Sequence, residues 1–381
     1  MAFLNYNKHV FTMRIFRYLI VTAYVLALTI NTLSSKEISW YKNFKGKIGS
    51  NTAEIHICKF KDEIRGYFYY DKFKQPLIIL GNLVGDSLKL MAYSNNFDSE
   101  NFDGILKSGK YSGEWTKWKE AAKTGQFSFE FQEDISKSEL FEFVYVSGHV
   151  DLFKMWDKSP TADYLEGTIW PTEQYMDYSV VRKEICTEKN MPTGLNAIGV
   201  ELLERKDKFL KDYFKTNEGI TKKEIEKYGY TSTFNQEEQG ITVITYYDKN
   251  IFVISTGWYS YTGGAHGIYG TGYRIIDLVN KKMIGLKDII NDEGLNALPD
   301  LLVKNFRKQF GVKDDQTLSD FGLSSDSIHV TENVCLTPGC LMFSYTPYEI
   351  GSYAMGEMVI YIPINEIDSY LKPEIKKLIN N

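Results

Sequence analysis

The stretch IFVISTGWYSYTGGAHGIYGTGYRIIDL, residues 251–278, holds two long apolar and aromatic runs with a glycine-rich segment between them. Runs rich in β-branched and aromatic residues predict strands, here Ile251–Tyr261 and Ile268–Leu278. The glycines between the runs supply positive φ angles or let two strands approach closely. The stretch therefore predicts an antiparallel hairpin closed by a shaped loop.

Helices and strands surround this hairpin in an irregular order. Apolar residues recur at helical intervals in residues 198–214 and again in residues 293–310. Because no regular βαβ alternation is present, we expect residues 165–381 to form an α+β domain. The other predicted elements of this region are the strands Gln174–Glu184, Ile241–Tyr247, Leu341–Tyr345 and Met358–Ile362 and the helix Ile364–Tyr370.

Residues 36–155 show a different pattern, in which short strands alternate with turn signals about every eight to twelve residues. This spacing predicts an antiparallel β domain, a meander or a partial barrel, so the whole chain is assigned to the α+β class. One hypothesis is that this domain binds a small apolar ligand. The predicted strands are Ala53–Lys59, Ile64–Tyr70, Pro76–Val84, Ser87–Tyr93, Phe102–Leu106, Tyr111–Thr116 and Gln126–Phe131.

Residues 1–35 have the pattern of a secretory signal peptide. Arg14 and Arg17 precede an apolar run, residues 18–30, and small polar residues follow it. The run is shorter than the roughly 20 residues of a membrane span, so we expect cleavage and a secreted or periplasmic protein. Membrane attachment is expected only if the signal stays uncleaved.

The net charge of the chain indicates which classes of partner it can bind. The chain has 44 Lys and Arg residues against 49 Asp and Glu residues, a formal net charge of −5. Nucleic-acid binding needs a basic face that neutralises phosphates, and the sequence shows no cluster of Lys or Arg with interleaved aromatic residues. We therefore expect no nucleic-acid partner.

Two of the four cysteines flank a turn. Cys335 and Cys340 enclose Pro338-Gly339, and a hairpin there would bring them within disulfide reach of about 6 Å. Cys58 and Cys186 have no obvious partner, and we expect them to be buried free thiols. Because there is no second cysteine pair, a zinc site is disfavoured, and we expect neither a metal nor a cofactor.

Three segments resemble a known family. They are residues 261–267 (YTGGAHG), 286–290 (LKDII) and 343–356 (FSYTPYEIGSYAMG), which are similar to the secreted bacterial domain-of-unknown-function family 3298, and the turn at residues 277–282 (DLVNKK) matches the family as well. The chain from about residue 170 is similar to the companion family 4163, so the resemblance covers about residues 170–381.

The resemblance implies an extracytoplasmic binding role. The two families occur in the outer domain of lysozyme-binding anti-sigma factors and in the accessory domain of peptidoglycan deacetylases. We expect neither sigma-factor signalling nor deacetylation here, because the sequence shows no cytoplasmic sigma-binding segment and no metal-dependent deacetylase domain. A lysozyme-like protein or a cell-wall glycan is the partner that the resemblance suggests.

His266 lies in the YTGGAHG loop and has two interpretations. As a general base or a metal ligand it would need a nucleophile or substrate within reach and a group to orient it. No G-x-S-x-G, H-E-x-x-H or Walker-type motif accompanies it. The favoured interpretation is structural: Gly263, Gly264 and Gly267 shape the loop, and His266 pins it by hydrogen bonds to backbone carbonyls.

Aromatic residues around this loop are candidate binding residues. Tyr and Trp offer apolar area with a polar handle, which suits sugar rings and protein partners. The alternative is that alternate members of each strand face the core. A Glu349–His266 contact would lock two loops together or form an acid/base pair. The candidates are Trp258, Tyr259, Tyr261, His266, Tyr269, Tyr348, Glu349 and Tyr353.

Two functional hypotheses follow. The first is a secreted or periplasmic binding protein of the bacterial cell envelope without enzymatic activity, which engages a protein or glycan partner. The alternative is a hydrolase that acts on envelope polysaccharide with His266 and Glu349 in its site. We favour the first hypothesis because the sequence shows no nucleophile–base constellation.

Overall fold

The computed structural model describes residues 39–94, 98–119, 122–172, 179–186, 195–229 and 231–379. The predicted signal peptide, residues 1–35, lies outside these ranges. Among the helices of the described ranges, none combines the length and the apolar character needed to cross a bilayer.

Eight antiparallel strands form a closed barrel near the N-terminus. Each strand pairs with the next, and β1 closes the barrel by pairing with β8, with Phe44 opposite Glu133. The seven strands predicted in this region are confirmed, and β1 is an additional strand. The strands are β1 (Trp40–Ile48), β2 (Asn51–Phe60), β3 (Glu63–Tyr70), β4 (Leu77–Val84), β5 (Ser87–Ser94), β6 (Asp98–Lys107), β7 (Lys110–Lys119) and β8 (Ala122–Glu133).

The interior of the barrel is filled with side chains. Phe44, Phe68, Phe102 and Phe131 are each 0% exposed, and Phe102 lies edge-on to Phe68 at 5.3 Å between ring centroids. An eight-stranded barrel is about wide enough for side chains to fill it. The protein's own aromatic rings therefore occupy the interior of the barrel. This packing argues against the hypothesis that the barrel binds a small apolar ligand. A short helix, α1 (Ile135–Ser138), leads from the barrel to the next sheet.

A six-stranded sheet follows, with the spatial order β14-β13-β12-β11-β10-β9. Neighbouring strands are antiparallel except β10 and β11, which are parallel and are joined by a helical connection. The strands are β9 (Phe141–Asp151), β10 (Thr161–Pro171), β11 (Gln236–Tyr247), β12 (Ile251–Tyr261), β13 (Ile268–Asp277) and β14 (Lys282–Ile284), and the connection holds α2 (Ser179–Ile185), α3 (Leu195–Thr216) and α4 (Lys222–Tyr228). The predicted hairpin β12–β13 is thus confirmed, and α3 packs against β9 and β10.

The predicted strand Gln174–Glu184 is wrong where the structure describes it. Its first part lies outside the described ranges, and residues 179–185 form α2. Val180, Val181 and Ile185 are buried, a spacing that places them on one side of a helix. Packing of this face against β10 therefore overrides the β propensity of the two valines.

A three-stranded antiparallel sheet and five helices complete the fold. The buried side of α6 carries Leu298, Leu302 and Phe306, which pack in one core with strand residues such as Ile360. The elements are α5 (Leu286–Ile289), α6 (Asp292–Phe310), α7 (Leu318–Phe321), β15 (Val334–Leu336), β16 (Cys340–Tyr345), β17 (Met358–Pro363), α8 (Ile364–Ile367) and α9 (Pro373–Ile379). The α+β class is confirmed.

The candidate disulfide between Cys335 and Cys340 is not formed, and both thiols are free and buried. The hairpin register places Cys335 opposite Met342 and Leu336 opposite Leu341. Cys340 is therefore a diagonal neighbour of Cys335, and diagonal neighbours stand about 7–8 Å apart, beyond disulfide geometry. The register is the reason that the bridge is absent.

The outer wall of the barrel packs on the six-stranded sheet. Tyr41, Phe60 and Tyr67 of the barrel belong to the same buried cluster as Phe143 and Phe252 of the sheet. The barrel itself ends at β8, and β9 already belongs to the sheet. The predicted division into residues 36–155 and 165–381 stays a prediction about independent domains.

Candidate functional site

The loop between β12 and β13 needs its three glycines for different reasons. Gly263 and Gly264 have φ angles of 90° and 108°, in a region that L side chains rarely adopt. A Cβ on Gly263 would also lie 2.2 Å from the carbonyl oxygen of Thr233, and one on Gly267 would lie 2.5 Å from the ring of Tyr259. The loop can therefore close tightly over β12.

Tyr261 ties this loop to the rest of the fold. Its hydroxyl donates to the carbonyl of Gly264 at 2.8 Å and approaches the carbonyl of Ser232 at 3.1 Å. Ser232 belongs to a single turn of 3-10 helix, Thr231–Phe234, that precedes β11. The hydroxyl of Tyr261, one of the candidate binding residues, is therefore hydrogen-bonded within the protein.

His266 is exposed on the surface of the loop and is held in place on three sides. Its Nδ1 lies 2.9 Å from the carbonyl of Gly267 and donates to it, which leaves Nε2 to accept from the hydroxyl of Tyr348 at 3.1 Å. Its ring stacks on Tyr353 with 3.8 Å between centroids and 23° between planes. Both ring nitrogens are therefore engaged within the protein.

The residues that meet His266 come from the segment between β16 and β17. Tyr353 donates its hydroxyl to the carbonyl of Gly267 at 2.9 Å, and Tyr269 of β13 lies edge-on to its ring. Tyr348 is 57% exposed and has a φ of 74°, an uncommon conformation for a residue other than glycine. We name His266, Tyr348 and Tyr353 the His–Tyr platform.

Glu349 does not contact His266, which corrects the predicted pair. Its carboxylate accepts from the backbone N–H of Thr346 at 2.9 Å and lies 3.4 Å from Nε2 of His329. The two loops do meet, but tyrosines make the contact. Tyr348 has a left-handed backbone conformation, so the chain turns directly before Glu349.

Two residues that the sequence did not single out attach the three-stranded sheet to β13. Glu357 accepts from the backbone N–H and the hydroxyl of Thr271 at 3.0 and 2.9 Å, and from the hydroxyl of Ser344 at 2.6 Å. Asn333 accepts from the backbone N–H of Tyr273 at 2.9 Å. Burial raises the pKa of Glu357 in spite of its hydrogen bonds. In the sequence, Glu357 stands out as an isolated acidic residue directly before an apolar strand.

A polar groove adjoins the His–Tyr platform at one end of the six-stranded sheet. Two cavities, of about 290 and 500 Å³, share Asp163 and Glu237 as lining residues. The smaller reaches His266, and the larger reaches Glu63 on the barrel and His149 on β9. We name this pair of cavities the sheet-end groove. It offers carboxylates beside aromatic rings.

One charge pair in the sheet-end groove is well defined. Nδ1 of His149 lies 2.7 Å from a carboxylate oxygen of Asp163 and donates to it. This hydrogen bond, together with the charges of Asp163 and Asp151, raises the pKa of His149. His149 is exposed, so the pair contributes little to stability.

Trp258 lies on the opposite face of the sheet from Tyr259, because successive side chains of a strand alternate. It lines a separate cavity of about 460 Å³, between α3 and the strands β10–β12. The candidate aromatic residues thus divide between two faces. Tyr259, Tyr261 and His266 line the sheet-end groove, whereas Trp258 does not.

The arrangement is suited to binding. The rings of the platform can stack on a flat apolar group, while the carboxylates and amides of the groove can accept and donate hydrogen bonds. Among the described residues, the hydroxyl that is hydrogen-bonded to the ring of His266 is the phenol of Tyr348. Across the described ranges, no group of three or more His, Cys, Asp or Glu side chains is placed to hold a metal ion.

Comparisons with known proteins give one family match. Residues 287–365 match a family described as "Protein of unknown function (DUF3298)". This range contains most of the LKDII segment and all of residues 343–356, and it begins after the YTGGAHG loop. No curated protein matches the chain.

Two solved structures are similar to this chain. One is a DUF3298 family member from Bacteroides fragilis NCTC 9343, 24% identical, covering 63% of this chain and 97% of that chain with a TM-score of 0.51. The other is a DUF3298 family protein from Pseudomonas aeruginosa PAO1, 16% identical, covering 61% of this chain and 95% of that chain with a TM-score of 0.41. Over the 63% of its length that is covered, the chain therefore shares a fold with the first of these, and residues 287–365 are similar to the DUF3298 family of unknown function.

Proposed function

We propose that this chain is a secreted or periplasmic binding protein of the bacterial cell envelope without enzymatic activity. It engages a protein or glycan partner through the His–Tyr platform and the sheet-end groove. The observation that carries the proposal is the stack of the exposed His266 on Tyr353 beside the exposed Tyr348. Aromatic rings held rigidly by internal hydrogen bonds lose little conformational entropy when they bind.

The proposed location and partner rest on the sequence. The signal-like pattern of residues 1–35 supports export, and the resemblance of about residues 170–381 to families 3298 and 4163 supports an envelope role. Candidate partners are a lysozyme-like protein and a peptidoglycan strand. Either would place a sugar ring or a side chain on the platform and polar groups in the groove.

The alternative of a polysaccharide hydrolase has less support from the geometry. Such an enzyme commonly uses two carboxyl groups about 5–10 Å apart across the scissile bond. Glu349 lies beside His329, and His266 is engaged by Gly267 and Tyr348. The residues that this alternative needs are therefore not assembled.

Binding of the full chain to immobilised lysozyme and to soluble peptidoglycan fragments tests the proposal. We expect saturable binding to one of them. Truncation of hot-spot aromatic residues usually weakens binding by more than about 1 kcal/mol each. In the double variant His266→Ala/Tyr348→Ala we expect a loss of affinity of at least about tenfold, or about 1.4 kcal/mol.

The matched control is Phe73→Ala, because Phe73 is also 57% exposed but lies on the barrel. This variant should bind like the parent chain. Absence of binding to both partners, or equal binding by the double variant, contradicts the proposal. Turnover of a cell-wall substrate that disappears in folded His266→Ala would establish the hydrolase instead.

A further inference from the structure

Strand β9 is the last strand in the order of the six-stranded sheet and forms one of its edges. The facing residues at the two ends of the β9–β10 ladder are hydrogen-bonded. The N–H of Thr172 donates to the carbonyl of Leu140, and the N–H of Leu152 donates to the carbonyl of Pro160, both at 2.9 Å. Bonded and non-bonded pairs alternate along an antiparallel ladder. The even-numbered residues of β9 therefore bond to β10, and its odd-numbered residues direct their N–H and C=O groups to the outer edge.

One part of this edge is covered and another part is open. The carbonyl of Phe143 accepts from the hydroxyl of Ser39 at 2.7 Å, in agreement with the outward direction of the odd-numbered residues. The backbone N–H and C=O groups of Ser147 and His149 have no hydrogen-bond partner within the described ranges. Sheets protect such edges with lysine, proline, bulges or a covering segment. Residues 144–151, VYVSGHVD, contain no lysine or proline and pair with β10 without a bulge.

Other open edges of the described sheets are closed by amide side chains. At β17, Gln309 donates to the carbonyl of Val359 at 2.7 Å and accepts from the N–H of Tyr361 at 3.2 Å. At the part of β13 that β14 does not cover, Asn333 donates to the carbonyl of Thr271 at 2.7 Å. An amide side chain offers both a donor and an acceptor, so it takes the place of a neighbouring strand. Within the described chain, the open segment of β9 has no such substitute.

Helix α3 lies along this open segment, on one face of the sheet. A Cβ on Gly148 would lie 3.0 Å from Leu210 and 3.1 Å from Lys206, and a Cβ on Gly199 would lie 4.0 Å from Val144. Four residues of a strand and about nine residues of a helix both advance about 13 Å. The helix therefore runs beside β9 in the same direction, with the middle of α3 above Gly148.

The outward side of α3 carries an apolar ridge. Leu203, Leu210 and Phe214 follow Gly199 at intervals of four, seven and four residues, which places them on one side of the helix. Arg205 on the opposite flank faces β10. Leu203 is 44% exposed and Phe214 is 43% exposed. We name Leu203, Leu210 and Phe214 the α3 ridge, an apolar surface directly above an open strand edge.

We propose that this surface joins two copies of the chain. Strand β9 pairs in antiparallel fashion with β9 of a second copy across a two-fold axis, so that two six-stranded sheets form one continuous sheet. Neighbouring strands stand about 4.8 Å apart, and α3 packs on both β9 and β10, so each helix axis lies about half a strand spacing inside β9. The two α3 helices then stand about 10 Å apart, the distance at which helices pack. A lone peptide strand would leave the α3 ridge uncovered, whereas a second copy covers the edge and the ridge together.

The register of the new strand pair follows from the open segment. Pairing centred on Gly148 sets Ser147 of each copy opposite His149 of the other. Both residues direct their backbone groups to the edge, so each such pair exchanges two hydrogen bonds. This register sets no two like charges opposite each other, whereas pairing centred on His149 would oppose two imidazole rings.

The helices match in the same arrangement. Because the middle of α3 lies above Gly148, the antiparallel helices bring Leu203 of one copy beside Phe214 of the other. Near the axis, Asp207 of each copy comes beside Lys211 of the other, which sets opposite charges at the rim of the apolar contact. The α3 ridge and its border are thus complementary to a second copy of themselves.

The dimer also enlarges the sheet-end groove. Ser147 and His149 line the larger cavity of this groove. The grooves of the two copies therefore adjoin each other across the axis, and a long partner can occupy both at once. This consequence rests on the proposed function, whereas the dimer itself does not.

Light scattering during size-exclusion chromatography of the full chain tests the dimer. We expect a mass near twice the 44.0 kDa of one chain at a chain concentration of about 100 µM, with a dissociation constant of about 10 µM or tighter. The mass of one chain at every concentration overturns the proposal.

Two variants assign the dimer to this surface. Ser147→Pro removes the N–H that points to the outer edge and no hydrogen bond to β10, and proline is tolerated in an edge strand at such a position. Leu203→Glu places a charge in the α3 ridge. We expect each variant to weaken the dimer at least about tenfold with unchanged circular dichroism. The matched control is Ile105→Glu, because Ile105 is an apolar residue that is 51% exposed on barrel strand β6. A dimer that persists unweakened in either variant overturns the proposal.

Hydrogen exchange followed by mass spectrometry locates the contact. The peptide that covers residues 144–151 should exchange at least about tenfold more slowly in the parent dimer than in Leu203→Glu. Equal exchange in the two proteins would place the interface elsewhere. Protection of this peptide in a monomer would show that another segment of the same chain covers the edge, and either result overturns the proposal. Lysozyme and peptidoglycan binding through the platform is measured separately, so the two proposals can fail independently.

Discussion

At the scale of single residues, the loop between β12 and β13 shows how a backbone constraint positions an aromatic surface. The carbonyl of Gly267 accepts from both His266 and Tyr353, and the bare α-carbon of Gly267 faces the ring of Tyr259. A side chain at this position would push the loop away from β12. The His–Tyr platform would then lose the carbonyl that aligns its two rings.

Gly267→Ala is predicted to destabilise the protein by about 1–3 kcal/mol, the usual effect of overpacking a close contact. The new Cβ would lie 2.5 Å from the ring of Tyr259. Urea unfolding followed by tryptophan fluorescence measures the effect. Gly272→Ala is the control, because a Cβ on Gly272 of β13 meets nothing within 4 Å. Equal stability of the two variants would contradict this account of Gly267.

The sequence predicts the backbone conformation of this loop better than it predicts which side chains the loop contacts. Positive φ angles and close approach follow from glycine chemistry alone, so both could be expected from three glycines between two strands. The partner of His266 depends on how a segment more than 80 residues away turns at Tyr348. No local rule assigns a left-handed backbone to a tyrosine, so the sequence alone does not predict that Tyr348, and not Glu349, contacts His266.

At the scale of elements, the sequence does not show which face of a strand is the core where both faces are buried. In β3, Phe68 faces the interior of the barrel while Tyr67 and Tyr69 pack toward the six-stranded sheet. The alternation of apolar and polar residues is lost where a sheet covers the barrel wall. The same reason applies to β1, which was missed, since Phe44 faces inward and Tyr41 faces the sheet.

A buried polar cluster joins these elements around His56, which is 1% exposed. Its Nδ1 lies 2.8 Å from the hydroxyl of Tyr41 and its Nε2 lies 3.1 Å from the hydroxyl of Tyr69. Burial lowers the pKa of His56, although the neighbouring Glu54 opposes this. Burial alone would raise the pKa of Glu54, but His56 and Lys137 lower it below its ordinary value.

Both pKa shifts lower the free energy of unfolding as the pH decreases. The unfolded chain takes up a proton at His56 below pH 6.5, its ordinary pKa, before the folded chain does, so stability is lost as the pH falls through that value. Glu54 adds to the loss as the pH falls below 4.5. A difference of one bound proton corresponds to about 1.4 kcal/mol per pH unit.

His56→Gln is therefore predicted to reduce the slope of the unfolding free energy between about pH 7 and pH 5. Urea unfolding at a series of pH values measures this slope. The control is His149→Gln, because the hydrogen bond with Asp163 raises the pKa of His149 and its contribution has the opposite sign. A slope in His56→Gln equal to that of the parent chain would show that His56 does not titrate with folding.

At the scale of the whole molecule, the barrel and the six-stranded sheet share one buried cluster. Tyr67 of β3 also hydrogen-bonds to Tyr273 of β13 at 3.0 Å, and Tyr361 of β17 donates to the carbonyl of Pro76 at 3.1 Å. Each part of the fold thus covers apolar surface of another. The described residues from Ser39 onward correspondingly form a single compact unit.

This shared core predicts that the barrel and the α+β part unfold in one cooperative transition. Tryptophans report on both parts, since Trp40, Trp115 and Trp118 lie in barrel strands while Trp170 and Trp258 lie in the six-stranded sheet. We expect urea curves from fluorescence and from far-UV circular dichroism to coincide. Two separated transitions would instead support the predicted division into independent domains.

The four buried thiols can report local opening of the structure, because a reagent reaches them only when the fold opens. Burial raises the pKa of Cys58 and Cys335 well above the ordinary value and that of Cys340 to about 12. Only a thiolate reacts readily with alkylating reagents, so each cysteine reacts when its surroundings open. Cys58 lies where the barrel meets the six-stranded sheet, and Cys335 and Cys340 lie in the three-stranded sheet. The rate of alkylation at each cysteine, followed by mass spectrometry, therefore reports how often the structure around that cysteine opens.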